Sequence, residues 1–116
     1  MSLTHTTELR RCLKFIEKLR EVLPASTSIT QVAVLLCTAT ESGIDQSTLI
    51  KRLNLPKNTA STVIANFSEL TASKEKGPGF LENRIDPMNL VIRLPTLTEK
   101  GEKMLNKASA AAWGAK

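Results

Sequence analysis

The chain has 116 residues, 41% of them apolar and 23% charged, the proportions of an ordinary globule with enough apolar mass for one core. Its longest strongly apolar run, Val32 to Cys37, is far short of the roughly 20 residues a membrane span needs, and no charged-then-apolar leader precedes Leu9. A single cytoplasmic domain without membrane attachment is therefore expected, and the formal charge of +5 favours nucleic acid over an acidic protein surface as partner.

In chain order, Leu9, Cys12, Leu13, Ile16, Leu19 and Leu23 recur at spacings of three and four. They predict a helix over residues 6–23, ended by Pro24. Phe15 and Val22 widen its apolar stripe, which then asks for more than one neighbour. Ser26-Thr27-Ser28 offers candidate N-caps. Ile29 to Ser42 reads as the central buried helix, apolar nearly all round and closed by Gly43.

Asp45 is a good N-cap for a short helix through Leu53, with Leu49, Ile50 and Leu53 facing inward. Asn54 follows where the chain must turn sharply, and asparagine tolerates the left-handed conformation that such a turn demands. From Lys57 to about Ala72, Ala60, Val63, Ile64, Phe67 and Leu70 form an inner stripe. The opposite face carries Asn58, Ser61, Thr62, Ala65 and Asn66, polar but almost uncharged. A helix that merely met water would more often carry Glu and Lys pairs, whereas base edges in a major groove are met by hydroxyls, amides and methyls.

Lys74 to Gly79 reads as a flexible basic connector. Two apolar runs follow, Phe80 to Ile85 and Leu90 to Leu94, joined by the turn Asp86-Pro87-Met88-Asn89. In the second run Leu90, Ile92 and Leu94 alternate with Val91 and Arg93, and Pro95 is expected to end the ladder. Thr98 and Glu99 start a last helix over residues 98–112 whose Met104, Leu105, Ala108, Ala111 and Ala112 suit close packing. Two short helices, a hairpin and a closing helix make a mainly α chain with a small β-hairpin wing: a winged helix-turn-helix.

That order of parts, with Gln46-Ser47, Leu49, Leu53, Leu55, Thr59, Ser61 and the run Leu97-Thr98-Glu99-Lys100-Gly101, resembles the MarR-type family of bacterial transcriptional regulators. The resemblance covers roughly residues 28–105 and is specific in the order of elements more than in any single motif. It implies a homodimeric, sequence-specific binder of double-stranded, palindromic DNA. The helix over 57–72 would enter the major groove, and the wing over 80–95 would lie on flanking backbone or minor groove. On that reading Asn58, Thr59, Ser61 and Thr62 meet bases, and Asn66 lies two turns further in. Lys57 meets a phosphate at the helix entrance, joined by Gln46 and Ser47 from the preceding helix. Lys74 and Lys76 are candidate backbone contacts.

The chain departs from that family at the wing, where many members carry an Asp followed closely by arginines. Here Asn89-Leu90-Val91 stands instead, leaving Arg84 before the tip and Arg93 after it as the wing's arginines. The connector at Lys76 to Gly79 is a few residues longer than usual. The terminal helices are shorter than those that build the family's intertwined dimers. Leu9, Leu13, Ile16, Met104 and Trp113 are candidates either for a dimer interface or for intramolecular core.

Cys12 and Cys37 lack zinc-ligand spacing, and His5 is the only histidine, so neither a metal nor another cofactor is expected. No nucleophile, base and orienter set can be drawn, which argues against an enzyme. Cations flank Cys12 and favour a thiolate, yet its helical phase reads as a small buried hydrophobe. The chain has no tyrosine, the partner that peroxide-sensing members of the family use. An alternative function is a winged helix used as a protein docking module without DNA binding; the nearly uncharged helix face and the missing wing arginines are compatible with it.

Overall fold

The computed structural model describes residues 2–56, 58–69 and 75–114. Five helices and one hairpin follow in the order α1 (Thr6–Val22), α2 (Ile29–Thr40), α3 (Gln46–Leu53), α4 (Thr59–Phe67), β1 (Leu81–Asp86), β2 (Asn89–Leu97) and α5 (Glu99–Trp113). They form two compact units, Thr27–Glu102 and a terminal unit of Met1–Ser26 with Lys103–Lys116.

In the larger unit α2 starts on a reciprocal capping box. The Ser28 hydroxyl accepts the Gln31 backbone N–H at 3.2 Å and the Gln31 side-chain Oε1 accepts the Ser28 N–H at 2.6 Å, so two of the orphan donors at the helix start are satisfied. The helix is central as expected, with Val34, Leu35, Cys37 and Thr38 buried. The one buried hydroxyl of that set is satisfied, Thr38 donating to the Val34 carbonyl at 2.8 Å. Helices α3 and α4 and strand β2 pack on α2, and β1 packs on α4, so Leu49, Ala60, Val63, Ile64, Phe67, Phe80 and Leu81 close one core.

Helix α4 ends at Phe67, not near Ala72. The apolar spacing continues to Leu70, but the carbonyls of Phe67, Ser68 and Glu69 receive the N–H groups of Phe80, Gly79 and Gly77 at 2.7, 3.3 and 2.8 Å. Tertiary pairing of these two segments replaces the helical ladder that local spacing favoured. It also fixes the Gly77–Gly79 part of the connector, while Leu70, Ala72 and Lys74 lie outside the described residues.

The strands pair antiparallel with Leu81 opposite Leu97 and Asn83 opposite Pro95. Pro95 therefore sits inside β2, where it was expected to end it. A strand with a neighbour on one side only tolerates a missing N–H where that group would point outward. The register slips between Ile85 and Asp86, since Ile85 faces Arg93 but Asp86 faces Asn89. Leu90 and Val91 fall in this bulge and are exposed, so the alternation expected from Leu90 onward begins only at Ile92.

Helix α5 opens on Thr98. Its hydroxyl donates to the carbonyls of Gly79 and Phe80 at 2.6 and 3.0 Å and accepts the Gly101 N–H at 3.0 Å, tying helix start to hairpin base. In the terminal unit, α1 buries Leu19, and the rings of Phe15 and Trp113 lie 5.7 Å apart at 54°. Cys12 is exposed, against the expectation of a buried thiol, while Cys37 is buried. The spacing that joins Cys12 to Leu9, Leu13 and Ile16 is present, but all four are exposed. Intramolecular core is thus not the role of Leu9, Leu13 and Ile16. Among the described residues no helix is long and apolar enough to cross a membrane.

Candidate nucleic-acid interface

The site begins at the turn between α3 and α4. Asp45 caps α3 by accepting the Thr48 N–H at 2.7 Å, and bonds from the Thr48 side chain and backbone hold its carboxyl below the ordinary aspartate value of 3.8. At the other end Asn54 adopts φ 52°, ψ 54°. Its N–H meets the Lys51 carbonyl at 3.3 Å and the Leu55 N–H meets that of Ile50 at 3.0 Å, which is a Schellman closure with asparagine where glycine is commoner. The chain leaves α3 sharply, passes half-buried Leu55 and enters α4.

Helix α4 presents two unlike faces. Ala60, Val63, Ile64 and Phe67 are buried, whereas Asn58, Ser61 and Thr62 are exposed. The Ser61 and Thr62 hydroxyls donate to the Asn58 carbonyl at 3.2 and 3.1 Å. Their donor hydrogens are directed back along the helix, and the acceptor capacity of each oxygen is left for a partner. Asn58 stands at the N-cap position in the helical region with no side-chain cap bond, so its amide is not spent on the helix end. Thr59 and Asn66 are half-buried at the margin of this face. Together with Gln31, Asn58, Thr62 and Val63 they line a shallow open depression.

Gln31 has no place among the residues expected from the sequence. The Ser28-x-x-Gln31 spacing is the signal that could have placed it at the start of α2, but only the fold sets that helix end beside α4.

The wing is strapped to the helix pair. Asn83 of β1 donates from Nδ2 to the Gln46 Oε1 at 3.2 Å, so the side-chain oxygen of Gln46 is engaged by the wing. Ser47 beside it is exposed. Lys76 is exposed too, but Lys57 and Lys74 lie outside the described residues. Both wing arginines have partners. Arg84 is held by Glu82 through Nε at 2.7 Å and Nη2 at 2.6 Å, and Arg93 donates from Nη1 to the Leu90 carbonyl at 3.0 Å. The structure thus brings Gln46, Ser47, Asn58, Thr59, Ser61, Thr62 and Asn66 onto one helix pair, and sets Arg84 and Arg93 apart on the hairpin.

No protein-family model matches the chain, and no curated protein matches it by sequence. Solved structures do. The transcriptional regulator PcaV from Streptomyces coelicolor, in complex with its natural ligand, is 25% identical with a TM-score of 0.60, over 96% of this chain and 77% of its own. The regulator MarR is 26% identical at 0.62, over 90% of this chain and 69% of its own. The transcriptional repressor CouR, bound to a 23-mer DNA duplex, is 18% identical at 0.64, over 90% of this chain and 66% of its own. The likeness implied by the order of elements and the Leu-Thr-Glu-Lys-Gly run is met in three dimensions: this chain has the winged helix-turn-helix fold of MarR-type transcriptional regulators.

Proposed function

We propose that this chain is a transcriptional regulator that binds double-stranded DNA sequence-specifically, with α4 in the major groove. The observation that carries the reading is the exposed, uncharged row of Asn58, Ser61 and Thr62 above a fully buried underside. Amides and hydroxyls so presented match the donor and acceptor pattern of base edges, and nothing on that row would repel phosphates. Thr59 and Asn66 contribute at the margins. Lys57, Gln46, Ser47, Lys74 and Lys76 hold the backbone and set the register without reading sequence. That CouR was solved on a duplex favours DNA over protein docking as the use of this fold.

The regulator works as a homodimer in the cytoplasm, on a palindromic site. Leu9, Leu13 and Ile16 are 50%, 60% and 41% exposed along one stripe of α1, and Trp113 of α5 is 48% exposed. An apolar stripe of that extent is left for a second copy. Two reading heads about 34 Å apart would then engage successive major grooves on one side of the duplex.

Selection of bound fragments from a random DNA pool tests this. The expected result is two inverted half-sites about 10 base pairs apart, with an affinity that falls steeply as salt rises. No enrichment of any sequence, or an affinity indifferent to salt, overturns the reading.

A further inference from the structure

Four of the exposed large apolar side chains gather at the wing tip: Ile85, Met88, Leu90 and Val91, at 52%, 91%, 72% and 85% exposure. Scattered singly they would be ordinary surface, but four on one hairpin end are not scattered. The bulge opposite Ile85 throws Leu90 and Val91 outward. The turn is braced from within, since Asp86 Oδ1 accepts the Met88 N–H at 2.8 Å and Asn89 Oδ1 accepts the Val91 N–H at 3.1 Å. The strands carry Glu82 and Asp86 against Arg84 and Arg93, so the wing has no net charge, and both arginines are engaged within it. Phosphate attraction is therefore not what this tip is built for.

We propose that the tip is an apolar wedge that enters a minor groove of the duplex and props open a base step beside the tract read by α4. The inference rests on the DNA-binding reading above. Two observations select this occupant over a protein. A standard protein interface takes about 20 or more residues a side, whereas the tip offers four side chains grouped around a point. The wing is also continuous with the proposed interface, because β1 packs on α4 and Asn83 straps it to Gln46.

Apolar side chains inserted between base pairs partly unstack them and kink the duplex toward the major groove. The deformation is cheapest at pyrimidine–purine steps. The wedge therefore adds a preference for TA or CA steps at a position flanking the half-site, one that no hydrogen bond reads.

The test uses the full chain, a duplex recovered by selection, and the double variant Met88→Ser/Val91→Ser. Both side chains are solvent-exposed, so the variant should melt at the wild-type temperature. The wild type should bend the duplex by about 20° or more in a circularly permuted gel-shift series. The variant should lose that bend and bind about tenfold or more weaker, with an unchanged slope of affinity against salt because no phosphate contact has been removed. If the variant binds and bends as the wild type does, the wedge is overturned and the DNA reading stands. A variant that changes oligomeric state in sedimentation, with DNA bending intact, makes the tip a protein contact and also overturns it. Failure of the wild type to shift any duplex sinks the parent reading, and the wedge falls with it.

Discussion

At Gly101 the backbone leaves no room for a side chain. A Cβ there would run into the Phe80 carbonyl oxygen and come within 2.7 Å of Leu97 Cδ1. Thr98 makes the same approach from the other side, its hydroxyl bridging the Gly79 and Phe80 carbonyls to the Gly101 N–H. The Leu-Thr-Glu-Lys-Gly run is thus a joint: the threonine caps α5 onto the hairpin base and the glycine lets the two backbones touch. Gly101→Ala must push backbone apart, and should cost about 1–3 kcal/mol or more, read as a lowered midpoint in denaturant unfolding. A variant as stable as the wild type would show that the contact relaxes freely. Asp45 offers a second residue-scale expectation, with a sign fixed by its carboxyl being held below 3.8. A carboxylate favoured in the folded state contributes stability above its ordinary pKa, and that contribution is lost as pH falls through the folded-state value. Asp45→Ala should therefore cost about 1 kcal/mol near neutral pH, and the gap between variant and wild type should narrow as pH falls below the ordinary aspartate value of 3.8. A gap constant from neutral pH into acid would refute the assignment.

Helix α4 is the proposed recognition element, and its two faces predict two kinds of loss. Asn58→Ala or Thr62→Ala should cost about 1–3 kcal/mol on the selected site and relax base preference there, with little change on random DNA. Lys57→Ala should weaken selected and random duplexes alike and lower the salt slope by about one. Titration of both duplexes at several salt concentrations separates the two outcomes, and equal losses from all three variants would remove the division between readers and anchors. The helix pair was legible in the sequence because its determinants are local. Asp45 caps, Asn54 takes the left-handed turn, and the 3-4 spacing of Ala60, Val63, Ile64 and Phe67 marks the buried face. The end of α4 was not legible, since Leu70 prolongs the same spacing and only the pairing of residues 67–69 with Gly77–Phe80 stops it. Pro95 misled for a related reason, because whether a missing N–H matters depends on which strand edge has a neighbour. The arginines of the wing were visible as residues, but their engagement by Glu82 and the Leu90 carbonyl was not.

At the scale of the whole molecule the proposed assembly rests on the exposed apolar stripe of α1. Periodicity placed Leu9, Leu13 and Ile16 on one face but could not say whether the chain itself would bury them, and it does not: each is more than a third exposed. Cys12 shares their exposure for the same reason. The homodimer proposed there would couple assembly to binding, since two linked heads on adjacent half-sites raise affinity through effective concentration without any new base contact. Leu13→Asp places a charge in the middle of the stripe, where burial in a partner would leave it unpaired. The variant should sediment as a monomer at concentrations where the wild type is a dimer, and keep its fold because Leu13 is 60% exposed. On a duplex with two half-sites its affinity should fall by about a hundredfold or more, whereas on a single half-site it should match the wild type. That contrast is what separates a dimer seam from a helix needed for folding: loss on both duplexes with a lowered melting temperature would assign the stripe to internal stability, and an unchanged dimer would place the seam elsewhere.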